Sequence, residues 1–155
     1  MNQRTILCPV DYSESTELAI DVAVDLAKSD GAKVILLHVL DPKIPAISIN
    51  ESRDNSLLSR LREQYLGLHE IDWEQVTRHG DPAEVTIAYA HQIAAALIVM
   101  GTQGRTGLAS LVVGSVARNV MAAAQCPVVT VKTPKWYKEG LWHDTVIPLK
   151  TPTGS

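Results

Sequence analysis

The stretch Lys33-Val34-Ile35-Leu36-Leu37-His38-Val39-Leu40 is apolar at every position except its first and its sixth. A strand with one face in water alternates apolar and polar side chains. A run such as this needs cover on both faces, the condition of interior strands in a parallel sheet. Upstream, residues 6–10, Ile-Leu-Cys-Pro-Val, make another apolar run of strand length. Between the two, Leu18, Ala19, Val22, Ala23, Leu26 and Ala27 recur at helical spacing and predict one buried face. Ser13 is placed to cap that helix, Glu14 and Glu17 suit the positive end of its dipole, and Gly31 ends it. Residues 6–40 therefore read as strand, helix, strand.

The same alternation continues downstream. Residues 41–50 hold two prolines and read as a loop, and Leu57, Leu58, Leu61, Tyr65 and Leu68 mark a second amphipathic helix. Residues 73–79 make a polar strand, suited to a sheet edge. Asp81-Pro82-Ala83-Glu84 combines a cap, a proline at the first helical position and a glutamate placed to close a capping box. It predicts a helix running to about Ala94. Residues 97–100 form a buried strand that ends at Gly101. A fourth helix starts near Gly114 and Ser115, with Val116, Ala117, Val120, Met121 and Ala124 on one face, and residues 128–131 form the fifth strand. Five strands alternating with four helices imply an α/β fold with an open parallel sheet and right-handed crossovers. Ligands of such sheets bind outside the carboxyl ends of the strands, which directs attention to the segments beginning at Asp11, Val39 and Gly101.

With 155 residues, 46% of them hydrophobic and 20% charged, one domain with its own core is expected. A formal net charge of −3 argues against a broad basic surface for nucleic acid. No apolar run is long enough to predict a membrane span, and the first residues lack the pattern of a secretory signal, so a cytoplasmic location is expected. In that reducing compartment Cys8 and Cys126 are expected to be free thiols.

The segment after the fourth strand carries the chemistry. Gly101-Thr102-Gln103-Gly104-Arg105-Thr106-Gly107 is followed by Gly114-Ser115 and a helix, and residues 101–119 contain Arg105 and Arg118 but no acid. Glycines permit tight bends and close backbone approach, and the amides of a new helix suit a phosphate. A glycine-rich turn with solvated arginines is the alternative. The Walker pattern is missing, and the first strand leads into Asp11-Tyr12-Ser13-Glu14, where two carboxylates would repel a phosphate. Phosphates therefore belong on the fourth-strand side. Asp11 is left for a neutral donor, such as a ribose hydroxyl or an adenine amino group, or for capping the helix that follows.

These residues resemble the universal stress protein family. The opening pattern stands as Ile6-Leu7-Cys8-Pro9-Val10-Asp11-Tyr12-Ser13. The nucleotide pattern Gly-x2-Gly-x9-Gly-Ser is complete at Gly101, Gly104, Gly114 and Ser115, and Cys126-Pro127-Val128 also matches. Gln103 stands where a histidine is common. The resemblance covers about residues 1–132 and implies a doubly wound sheet of order 3-2-1-4-5, helices on both faces, a homodimer, and ATP (or ADP or AMP) as ligand, with Mg arriving through the phosphates. By carry-over, Gly101, Gly104, Arg105, Gly114 and Ser115 would hold the phosphates, while Val10, Asp11 and Val39 would line the adenosine end. The last strand, at the sheet's end in that order, has an edge that a second copy would pair.

Little in the sequence points to catalysis. It has no nucleophile elbow and no zinc motif, and His38, inside a strand, reads as a core residue. The expected function is a nucleotide-binding stress-response protein acting as a dimeric switch. The alternatives are a weak ATPase or self-phosphorylating protein, with Ser115 or Thr106 as acceptor, and a scaffold without ligand. Residues 133–155 form an extension with Trp136, Tyr137 and Trp142, too apolar for a plain disordered tail, which would pack on the domain or its dimer mate, dock another protein, or form a flap over the nucleotide.

Overall fold

Each apolar run forms a strand and each amphipathic stretch between them that is described forms a helix. The computed structural model describes residues 2–11, 14–43, 70–102 and 113–133. In chain order these contain β1 (Thr5–Val10), α1 (Glu14–Asp30), β2 (Lys33–Leu40), β3 (Trp73–His79), α2 (Pro82–Gln92), β4 (Leu97–Gly101), α3 (Ser115–Ala123) and β5 (Val128–Val131). The helix expected over residues 57–68 lies outside the described residues, as do Ser13, Gly104, Arg105, Thr106 and residues 134–155.

The five strands form one parallel sheet in the order β3-β2-β1-β4-β5. The polar strand β3 takes an edge, as its composition predicts, and β5 takes the other. Alternation along the interior strands sends successive side chains to opposite faces. Ile6, Cys8 and Val10 of β1, Val34 and Leu36 of β2 and Val99 of β4 pack with α1. Leu7, Ile35, Leu37, Ile98 and Met100 pack with Ala83, Tyr89 and Ala90 of α2 and with Ala117 and Val120 of α3. Helices thus cover both faces, and His38 is buried within β2.

Two helical faces differ from expectation. On α1, Leu18, Ala19, Ala23 and Ala27 are buried as expected and Ser15, Thr16, Ile20 and Val24 join them, whereas Leu26 is 37% exposed and Val22 only half-buried. The helix crosses the sheet so that small residues (Ala19, Ala23, Ala27) face the strands, and Leu26 falls on the flank. On α3, Ala117 and Val120 are buried and Val116 and Ala124 pack against the same core as expected, but Met121 is 43% exposed.

Helix ends follow local chemistry. The N–H of Glu84 donates to Asp81 Oδ1 at 3.0 Å, with Pro82 in the first turn of α2. Gly31 closes α1 at φ 67°, and the Ala32 N–H donates to the Ala27 carbonyl at 3.2 Å. The same closure recurs after α2 with an alanine: Ala94 has φ 50°, and the Ala95 N–H donates to the Ala90 carbonyl at 2.9 Å. This left-handed position stops the helix at Gln92 rather than near Ala94. Cys8 and Cys126 are free thiols, as expected. Burial pushes the Cys8 thiol up to about 12, and burial also raises that of the half-buried Cys126.

Ala94→Gly relieves the left-handed alanine and should stabilise the fold by about 0.5–1 kcal/mol in urea unfolding. Loss of stability would show that the alanine is not strained. In a thiol titration near pH 8, Cys126 should react first, and Cys8 only once the protein unfolds.

Candidate functional site

From β1 the chain builds outward to β2 and β3 on one side and to β4 and β5 on the other. The strand order therefore reverses between β1 and β4, the position at which open α/β sheets form a crevice outside the carboxyl ends of their strands. Asp11 stands at one lip, directly after β1. Gly101 and Thr102 stand at the other, at the end of β4.

The first turn of α1 reaches both lips. At the β1 lip, the Asp11 N–H donates to Thr16 Oγ1 at 3.2 Å, and the Thr16 hydroxyl donates back to Asp11 Oδ1 at 2.8 Å. At the β4 lip, Ser15 sits against Gly101 so closely that a Cβ added there would lie 2.6 Å from Ser15 Cβ and also overlap Ser15 Oγ. Glycine at 101 is therefore demanded by helix packing, a reason independent of any ligand. Neither Ser15 nor Thr16 was singled out by sequence reasoning. A signal was present: they lie one turn before Ala19 and Ile20, so two hydroxyls occupy the buried stripe of α1.

A backbone chain links β5 to α3. The Thr102 N–H donates to the Val131 carbonyl at 3.0 Å, and the Gly114 N–H donates to the Thr102 carbonyl at 2.7 Å. One hydrogen bond thus joins Thr102 at the end of β4 to Gly114 at the start of α3. The Gly114 amide is engaged there and is not one of the helix's unpaired donors. Gly114 is the N-cap of α3, which has no side-chain cap and no acidic residue in its first turn. The outward donors of the helix begin at Ser115, which is exposed. Arg118 lies one turn further and is exposed as well.

Of the eight residues expected at the site, the structure brings Asp11, Gly101, Gly114 and Ser115 to the carboxyl edge. Gly104 and Arg105 lie outside the described residues. Val10 and Val39 belong to opposite faces: Val10 is buried in the α1 layer, and Val39 packs at the margin of the other core. Continuing the Val10–His38 register by one step sets Asp11 beside Val39. Among the described residues, no group of three or more His, Cys, Asp or Glu could hold a metal ion, and no helix is long and apolar enough to cross a membrane.

Residues 2–132 match the family model described as the universal stress protein family. A universal stress protein of Methanocaldococcus jannaschii is 33% identical over 143 residues, which cover 85% of this chain and 84% of that one. Among solved structures, the universal stress protein UspA from Lactobacillus plantarum has a similar fold. Its TM-score is 0.71 at 24% identity, over 85% of this chain and 99% of its own. A universal stress protein solved in complex with cAMP is also similar, with a TM-score of 0.62 and 26% identity over 86% of this chain and all of its own.

Gly101→Ala should destabilise the protein by about 1–3 kcal/mol, the usual cost of overpacking. Adding Ser15→Gly removes the colliding atoms and should recover part of that loss in denaturant titrations. An alanine tolerated at 101 without cost would refute the packing account.

Proposed function

The chain belongs to the universal stress protein family, and we propose that it binds an adenine nucleotide, ATP or its ADP or AMP counterpart, as a dimeric switch in the cytoplasmic response to stress. One observation carries this reading. A carboxylate and an uncapped, acid-free helix start stand at the two lips of the crevice where the strand order reverses. The negative lip suits a neutral donor on the nucleoside. The positive lip suits phosphates, which would take the first-turn amides of α3 and, from the segment 103–112, Gly104 and the Arg105 guanidinium. The similar structure solved with cAMP supports an adenine nucleotide as the class of ligand.

Mg would accompany a triphosphate, held by phosphate oxygens and water. Asp11 belongs to the nucleoside lip, away from the phosphates, and the first turn of α3 has no acid. Ser115 or Gln103 could orient a water there, but neither element places a carboxylate base beside the phosphates, and binding is the activity we assign.

The switch rests on β5. It is an edge strand among the described residues, and the outer side of such a strand has backbone groups that a second copy would pair. The bonds from Gly114 to Thr102 and from Thr102 to Val131 join that edge to the segment that would hold the phosphates. A ligand that prefers one arrangement of this segment would bias the paired edge by its differential affinity.

Titration calorimetry of the nucleotide-stripped protein with Mg-ATP should give a saturable signal at one site per chain. Asp11→Ala should weaken it by about 10-fold to 100-fold, the worth of a hydrogen bond to a charged group. A flat titration of folded wild-type protein would overturn the nucleotide assignment. Sedimentation should give twice the chain mass; a monomer at micromolar concentration would overturn the dimer.

A further inference from the structure

We propose that Thr16 is a positioning residue, and that its aim of the Asp11 carboxylate sets selectivity for the nucleoside. The inference rests on the nucleotide reading above and goes beyond it, since it concerns a residue that would not itself touch the ligand.

Asp11 lies just past β1, where the strand ladder no longer holds the backbone. Left to itself, an aspartate at a strand end samples several rotamers. Thr16 removes that freedom twice. By accepting from the Asp11 N–H it fixes the backbone, and by donating to Oδ1 it fixes the side chain. A threonine hydroxyl has one proton to give, and here that proton goes to the carboxylate. The direction matters, because an ionised carboxylate can only accept.

The arrangement is rigid on the Thr16 side. Thr16 is only 4% exposed, so water competes poorly for its hydroxyl, and its β-branched side chain is stiff within a helix. The adjacent Ser15 is pressed against Gly101 of β4. One helical turn therefore references the carboxylate to both lips of the crevice. The bond from Thr16 takes one of the roughly four lone-pair sites that a carboxylate offers, and it orients the group. The partner that fits is a neutral donor. On a nucleotide that means a ribose hydroxyl or the exocyclic amine of the base, and a set of probes separates the two.

The test compares wild type, Thr16→Ser and Thr16→Val in calorimetric titrations with four probes. These are ATP, 2′-deoxy-ATP, 3′-deoxy-ATP and ITP, in which a carbonyl replaces the amine. Thr16→Val keeps the shape and removes both hydrogen bonds. It should lower ATP affinity about tenfold, whereas Thr16→Ser should stay within about threefold of wild type. The Thr16→Val penalty should vanish for the probe that lacks the recognised donor, which identifies a ribose hydroxyl or the amine. Asp11→Ala should show the same pattern across the probes, and it provides this readout should Thr16→Val fail to fold. An equal penalty for all four probes, or no penalty, overturns the positioning role while leaving nucleotide binding intact. Wild-type protein that binds none of the probes overturns the nucleotide reading itself, and this inference with it.

Discussion

Burial of β1 on both faces is the constraint from which the rest of this structure follows. Leu7 and Cys8 point to opposite sides of the sheet, and both are fully buried. Backbone groups at that depth must be paired, and β2 and β4 pair them in parallel on either side. Parallel neighbours require crossover helices, and the crossovers cover the two faces that the apolar strands need covered. With both faces sealed, access to the strands remains only at their ends. The candidate site lies at the carboxyl ends because there helix starts and strand termini leave polar groups outside the core.

The first turn of α1 is the point at which fold and site share the same atoms. Ser15 packs against Gly101, and Thr16 exchanges two hydrogen bonds with Asp11. Side chains that would otherwise only seat a helix on a sheet thereby hold the two lips of the crevice in fixed relation. Gly101 illustrates why a glycine motif needs a structure for its interpretation. A close approach by a ligand and a close approach by a helix make the same demand on a side chain. Only the position of Ser15 shows that the second demand operates here.

Four of the five strands were legible because they are apolar, short and bounded by strong punctuation. Residues 33–40 and 73–79 coincide with β2 and β3, and the polar character of the latter marked it as an edge. The Asp81-Pro82-Ala83-Glu84 start was legible because capping is local chemistry. Faces of helices were less so. Leu26 and Met121 fit helical periodicity, yet both are exposed, because the line of contact between helix and sheet is chosen by crossing geometry and by where small residues allow close approach. The closure at Ala94 was hidden for a related reason: alanine is a strong helix former, and its left-handed conformation is imposed by the turn into β4.

Sequence by itself determined the α/β class, the alternation of elements, and the candidate ligand segments at Asp11 and at the glycines after the fourth strand. These depend on periodicity, capping and charge, which act between near neighbours. The order 3-2-1-4-5 came only with the family resemblance, because strand adjacency is a choice among pairings that each strand alone would permit. Tertiary structure alone decided that Val10 and Val39 turn to opposite faces, that Gly114 uses its amide on Thr102, that Ser15 packs against Gly101 and that Thr16 bonds Asp11. Those facts depend on which elements meet in space.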